Sequence, residues 1–172
     1  MSITRRIEEE PDIDLLTKQR ENPSVMRVVL QRVSHAEVSV AGETIGRIGP
    51  GLLALAAVSR QDDENDLEWM ARKIVGLRVF DDADGNLNLS LRDVHGQLMV
   101  VSQFTLYGDC KKGRRPSYSD AAPPAEAGAL YNRFVEIVRE AVPDVQTGEF
   151  QAEMEVSLTN DGPVTLIIDS KG

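Results

Sequence analysis

Apolar and polar residues alternate along much of the chain from residue 26 onward, with the period of two that is typical of β-strands. Val38 and Val40, for example, alternate with polar neighbours before a turn at Gly42. Residues 52–58 are apolar throughout, which predicts a strand that is buried on both faces. The other main strands are predicted at residues 28–33, 97–108, 154–159 and 164–169.

Two segments instead have the spacing of three and four residues that places apolar side chains on one face of a helix. The first follows the acidic residues 62–64 and ends near Gly76, and the second follows Pro123-Pro124 and ends before Pro143. The apolar face of the second helix comprises Ala127, Leu130, Tyr131, Phe134, Val138 and Ala141. Many strands with only two helices predict an α+β fold. Curled antiparallel sheets would form a barrel-like core, with the two main helices packed outside.

The first 25 residues differ in composition from the rest of the chain. They contain four basic and six acidic residues and no aromatic residue. Such a segment cannot bury enough apolar surface to offset the entropy lost on ordering it. We therefore predict a disordered N-terminal extension at residues 1–25 and a single folded domain at residues 26–172.

Composition limits the chemistry that this domain can perform. The net charge is −9, which argues against an extended basic surface for bulk nucleic-acid binding. A single cysteine, Cys110, and two histidines provide no metal-binding pattern, so the sequence predicts no metal and no cofactor. There is no apolar stretch of roughly 18 residues, the length that spans a membrane. A reducing, cytoplasmic location is expected.

The candidate active-site residues lie where a buried strand becomes polar, in the sequence SQFT. Ser102, Gln103, Phe104 and Thr105 follow two valines of the core. If the strand continued, Gln103 and Thr105 would share one face and line a pocket, although the strand could equally run out to solvent. Neither histidine lies near this strand in sequence, so a Ser-His-Asp triad has little support. A hydrolase built here would position water.

A basic loop follows immediately in the sequence KKGRRP. Lys111, Lys112, Arg114 and Arg115 place four positive charges within five residues of an acidic protein. Arginine binds phosphate through two parallel hydrogen bonds and lysine as a point charge, so this loop is predicted to bind phosphates of a nucleic acid or nucleotide. The alternative is a solvated turn. No Walker or dinucleotide-binding fingerprint is present.

A third feature is the sequence TNDGPVT near the C-terminus. Asp161-Gly162 resembles the two-residue turn of a β-hairpin, yet Pro163 stands where the returning strand should donate its first hydrogen bonds. Either the Gly162-Pro163 dipeptide shapes a turn at a sheet edge, or it is presented as a functional element.

Several motifs together resemble the D-aminoacyl-tRNA deacylase family. They include VVSQFTLYGD, KGRRPSYSDAAPP and, above all, SLTNDGPVT, and they occur in order from Met26 to about Asp169. SQFTL and NDGPVT form a specific pair because chance would rarely produce both at this separation. The resemblance implies that residues 26–172 are a single catalytic domain, and that residues 1–25 are an addition to it.

The resemblance also implies a mechanism. The Gly162-Pro163 bond would be cis, and the turn would reach across a homodimer into the partner's pocket and exclude L-aminoacyl groups. Thr105 and the backbone N–H groups near Phe104 would hold the ester carbonyl while water attacks, aided by the 2'-hydroxyl of the tRNA. The products would be tRNA and a free D-amino acid, or glycine from mischarged tRNA.

Two other functions compete with this interpretation. The same fold occurs as the editing domain of archaeal threonyl-tRNA synthetase, so the chain could edit an L-aminoacyl error. Alternatively, it could be a dimeric RNA-binding module without catalytic activity.

Overall fold

The computed structural model describes residues 25–119 and 121–170. Most of the predicted extension, residues 1–24, lies outside the described residues, so its disorder stays a prediction. Val25, the last residue of that segment, is only 3% exposed and packs with the folded chain.

The fold is α+β, as the sequence predicted, with two main helices against a curled sheet. In chain order the strands are β1 (Arg27–Val40), β2 (Glu43–Ile48), β3 (Gly51–Ala57), β4 (Phe80–Asp81), β5 (Leu87–Leu89), β6 (Gln97–Ser102), β7 (Gln146–Thr147) and β8 (Met154–Asp169). The helices are α1 (Glu64–Gly76) and α2 (Pro124–Ala141), and a short 3-10 helix spans Phe104–Tyr107. Among the described residues, no helix has the length and apolar character needed to cross a membrane.

Strand β1 is the centre of the sheet. It pairs antiparallel with β3 and β2 along one edge, and with β8 along the other. Strands β6 and β7 then add to β3 in parallel. The sheet is therefore mixed, because α1 and α2 serve as the crossover connections that parallel neighbours require. Strands β2 and β7 lie against one another, so the sheet curls into a nearly closed barrel.

Successive residues of the central strands enter two apolar clusters, one on each face of the sheet. One cluster lies between the sheet and the helices and includes Leu52, Leu98 and Phe134. The other lines the opposite face of the sheet and includes Leu53 and Met99. Consecutive residues of β3 thus enter different clusters, which confirms the prediction of a strand buried on both sides.

Helix α1 begins at the position that the sequence indicates. The Asp63 carboxylate accepts hydrogen bonds from the backbone N–H groups of Asn65 and Asp66, and the Asp66 carboxylate accepts one from the Asp63 N–H. Helix α2 begins with Pro124 in its first turn, where a missing N–H leaves no bond unmade. The connection between β6 and α2 carries the candidate site.

Candidate active site

The SQFT segment forms a sharp turn at the end of β6. The strand ends at Ser102, and Phe104–Tyr107 form the 3-10 helix, which we call the 3-10 turn. The prediction that the strand continues through Thr105 and on to residue 108 was therefore wrong. Gln103 leaves the strand with φ −144° and ψ 73°, and its N–H donates to the Ala56 carbonyl of β3 at 2.7 Å.

Two of the predicted residues nevertheless come together. The Gln103 side-chain amide donates to the Thr105 hydroxyl oxygen, so these two polar groups share one side of the turn. With its oxygen accepting this bond, the Thr105 hydroxyl keeps its proton available to a ligand. The 3-10 turn also leaves the N–H groups of Phe104 and Thr105 without a partner inside the helix, because its first bond runs from Leu106 N–H to Gln103 carbonyl.

Phe104 points outward and is 58% exposed. Its ring meets the Tyr118 ring edge to face, with 5.4 Å between the centroids. Exposing a large aromatic side chain is unfavourable unless something covers it, so this pair is a candidate contact for a flat, apolar part of a ligand. Tyr118 was not among the predicted site residues, because no periodicity connects it with the SQFT segment.

The basic loop, residues 111–115, is held beside the 3-10 turn. Asp109 and Ser117 exchange backbone hydrogen bonds at 2.8 and 3.0 Å and close the base of the loop. Tyr118 follows directly and contacts Phe104, which connects the loop to the candidate site. All four basic side chains are exposed, and none of them forms an ion pair within the described part of the chain. Their positive charge is therefore available to an anionic ligand.

Gly162 and Pro163 lie in a bulge, and the predicted hairpin turn was wrong. Residues on both sides pair with the same strand, since Asn160 pairs with Val33 and Thr165 with Gln31. One β1 residue therefore lies opposite four β8 residues, 161–164, which we call the bulge. The Gly162–Pro163 peptide bond is cis. The sequence Asp-Gly-Pro is compatible with a bulge as well as with a hairpin turn. The two are distinguished by whether the flanking residues pair with the same neighbouring strand or with each other.

Arg32 supports the bulge from the core side. Its guanidinium donates to the Asp161 carbonyl at 3.2 Å and to the Val79 carbonyl at 2.8 Å, and it pairs with the Asp161 and Asp81 carboxylates at 3.0 and 3.5 Å. Asn160 bridges the gap in the ladder, with its amide donating to the carbonyls of Arg32 and Val164 at 2.9 and 3.1 Å.

Arg32 was not among the predicted site residues, although the sequence contained a signal for it. Arg32 follows Val28 and Leu30 at intervals of two residues, and all three are buried on the core-facing side of β1. A charged residue in an apolar row requires partners that satisfy it. Arg32 therefore indicated a polar structure beneath the sheet.

The 3-10 turn and the bulge lie far apart in one chain. Ser102 pairs with Ala56 of β3, and Ala56 pairs with Val28 of β1, so Ser102 is level with Val28 across the sheet. The bulge is level with Arg32. The difference of four residues along β1 corresponds to about 13 Å. Strands β1 and β3 also separate β8 from β6. A single chain therefore does not bring these two candidate elements into one pocket.

Comparison with known proteins places this chain in the class of deacylases. The sequence model described as D-Tyr-tRNA(Tyr) deacylase matches residues 29–169. The chain belongs to the D-Tyr-tRNA(Tyr) deacylase family. The D-aminoacyl-tRNA deacylase of Thermotoga petrophila is 55% identical over 145 residues, or 84% of this chain and 97% of that protein. The protein of the same name from Desulfitobacterium hafniense strain DCB-2 is 58% identical over 146 residues, or 85% and 98%.

Solved structures have the same fold. One, described as c-Myc DNA Unwinding Element Binding Protein, has a TM-score of 0.80 and 40% identity, and the match covers 85% of this chain and 99% of that chain. Another, described as a probable eukaryotic D-amino acid tRNA deacylase, has a TM-score of 0.72 and 20% identity, with 84% and 99% covered. The second likeness extends to the fold alone. The region matched by the family spans the 3-10 turn, the basic loop and the bulge.

Replacing Arg32 with Met should destabilise the protein, because the buried Val79 carbonyl would lose its donor and the bulge its support. We expect Arg32→Met to lower the free energy of unfolding by about 1–3 kcal/mol in urea titrations. Arg47→Met is the matched control, since Arg47 is 69% exposed and pairs with Glu37 at the surface. It should cost less than about 1 kcal/mol. Equal losses in the two variants would contradict a supporting role for Arg32.

Proposed function

We propose that this protein hydrolyses the ester bond of D-aminoacyl-tRNA, and of glycine on mischarged tRNA, and thereby releases free amino acid and tRNA. It would act in the cytoplasm as a chiral proofreader of translation. The observation that carries this proposal is the 3-10 turn, in which the Thr105 hydroxyl and two backbone N–H groups that the helix leaves unpaired lie at the end of a buried strand. Membership of the family gives the reaction its substrate class.

The chemistry of the turn suits stabilisation of a developing oxyanion. The N–H groups of Phe104 and Thr105 are rigidly placed dipoles, and such donors stabilise charge that appears on the ester carbonyl during attack. Ser102 and Gln103 complete the polar wall, and Gln103 orients the Thr105 hydroxyl. Within the described part of the chain, neither His35 nor His95 hydrogen-bonds to this turn. Water, activated by the substrate's 2'-hydroxyl, is therefore the proposed nucleophile.

Chiral selection is assigned to Gly162 and Pro163 of a second copy of the chain. Their separation from the 3-10 turn within one chain supports this assignment, because a partner's bulge can reach a pocket that the chain's own bulge cannot. A backbone element held by Arg32 and Asn160 is stiff enough to reject an L-side chain by steric contact.

The surface offers a means of forming this homodimer. Strand β8 is a long strand that pairs along one edge with β1, and an open strand edge invites pairing with another chain. Ile167 is 72% exposed and its neighbour Leu166 is 36% exposed. Exposed apolar residues on an edge strand mark a surface that association can bury. A symmetric dimer through β8 would present two bulges and two turns to one another.

The basic loop is proposed to hold phosphates of the tRNA acceptor stem. Lys111, Lys112, Arg114 and Arg115 lie beside the aromatic pair formed by Phe104 and Tyr118. Phosphate contacts position a nucleic acid without reading its sequence. That property suits an enzyme that must accept tRNAs of many sequences.

Parallel time courses with D-Tyr-tRNA and L-Tyr-tRNA test the proposed function. We expect release of tyrosine from the D-substrate and retention of the L-substrate. Mass spectra of quenched reactions should carry no aminoacyl adduct on Ser102 or Thr105, because water attacks directly. Turnover of the L-substrate would favour the editing function related to threonyl-tRNA synthetase, and binding without turnover would favour the non-catalytic module.

Removal of charge from the basic loop should weaken tRNA binding and flatten its dependence on salt. For a variant with all four basic residues of the loop replaced by Ala, the slope of log affinity against log salt should fall by roughly 0.7–0.9 for each phosphate that the protein no longer neutralises. A control variant, Arg47→Ala with Arg72→Ala, removes exposed arginines that already pair with Glu37 and Glu68. The control should keep the wild-type slope. An unchanged slope in the loop variant would identify the loop as a solvated turn.

Complementation tests whether each site combines two chains. Thr105→Ala and Gly162→Val should each impair deacylation. Among the described residues, a Cβ atom at Gly162 approaches only the Asn160 side-chain oxygen, at the ordinary distance of 3.5 Å. Co-expression of the two variants forms mixed dimers in which one site has an intact turn and an intact bulge. Random pairing should restore about a quarter of wild-type activity. Activity no greater than the average of the separate variants would mean that each site uses one chain only.

A further inference from the structure

Tyr107 is the last residue of the 3-10 turn. Its hydroxyl lies 2.6 Å from the Val25 carbonyl oxygen and 3.1 Å from the Ala57 carbonyl oxygen. The phenol is thus connected to the segment that precedes β1 and to the end of β3.

The hydroxyl completes a pair of anchors for the 3-10 turn. At the first anchor, the Gln103 N–H donates to the Ala56 carbonyl at 2.7 Å. At the second, the Tyr107 hydroxyl reaches the adjacent residue of the same strand, Ala57, and Val25 beside it. The N–H groups of Phe104 and Thr105 lie between these anchors in the chain. Without the second anchor, the turn would be fixed to the sheet at one end only.

The Tyr107 hydroxyl is a permanent donor. Burial raises its pKa above the usual range, and the nearby Asp62 carboxylate raises it further, so the proton stays on the oxygen at physiological pH. One proton serves one acceptor at a time, and the shorter distance identifies the Val25 carbonyl as the main acceptor. Val25 is itself fixed, because the next residue, Met26, donates its N–H to the Asp62 carboxylate at 2.8 Å.

We propose that Tyr107 is a positioning residue for deacylation: its hydroxyl, bonded to the Val25 carbonyl, fixes the 3-10 turn so that the Phe104 and Thr105 N–H groups face the ester carbonyl. This inference rests on the proposed function. It gives residue 25 a role in the active site, although that residue lies outside the domain as the sequence analysis bounded it. An alignment error of about 1 Å at such donors is enough to slow a reaction roughly 100-fold.

Tyr131 provides a matched control for Tyr107. Its hydroxyl also donates to a backbone carbonyl, that of Val100 at 3.0 Å. Tyr131 is a buried residue of α2. Tyr107→Phe and Tyr131→Phe therefore each remove one hydroxyl and one similar hydrogen bond while keeping the ring. Only the Tyr107 hydroxyl belongs to the 3-10 turn.

Steady-state kinetics of the full-length protein with D-Tyr-tRNA test the proposal. We expect Tyr107→Phe to lower kcat roughly tenfold with KM within about twofold of wild type, because the missing hydrogen bond acts on the transition state. Tyr131→Phe should keep the wild-type kcat, even if its melting temperature falls as much. Amide hydrogen exchange supplies a readout that is independent of activity. The amides of Leu106 and Gly108, which donate within the turn, should exchange faster in Tyr107→Phe only.

Three results would overturn the positioning role. They are a wild-type kcat in Tyr107→Phe, an equal fall of kcat in Tyr131→Phe, and unchanged exchange of the turn amides in Tyr107→Phe. Failure of the proposed function is distinguished from these, since the wild-type protein itself would then not release D-tyrosine.

Discussion

The rest of the structure depends on the pairing of one strand, β1, along both of its edges. On one edge it pairs with β3, which carries β6 and therefore the 3-10 turn. On the other edge it pairs with β8, which must accommodate four residues opposite one. Alternate β1 residues are buried, so a slip of one residue would turn an apolar row to solvent. The register of β1 thus fixes the positions of both candidate elements.

Arg32 is the β1 residue for which this pairing is energetically most costly. Burying a guanidinium costs several kcal/mol unless its donors are satisfied. Here two backbone carbonyls and two carboxylates satisfy it, and both carboxylates remain about half exposed. Water therefore weakens the two charge pairs, while the bond to the buried Val79 carbonyl keeps its full value. The shape of the bulge thus depends more on hydrogen bonding to the backbone than on ion pairing.

Local sequence predicted the elements better than their connections. The period of the apolar residues located α1 and α2, and an unbroken apolar run located the doubly buried β3, because burial directly determines which positions are apolar. The Asp161-Gly162 dipeptide suggested a hairpin because its local chemistry is the same in a turn and in a bulge. The strand end at Ser102 and the contact of Tyr118 with Phe104 depend on neighbours distant in sequence. The parallel pairing of β6 with β3 could have been predicted, since a helix lies between those two strands.

The position of the basic loop has a consequence for the kinetics of encounter. The chain carries a net charge of −9, so most of its surface repels a polyanion, while four exposed cations lie together next to the 3-10 turn. Under the proposed function, this uneven distribution of charge would turn the basic loop towards an approaching tRNA before contact. Collisions through the acidic faces would be disfavoured, and those that bring the 3-10 turn towards the tRNA would be enriched. The acidity of the rest of the protein would thereby favour binding through a small basic surface.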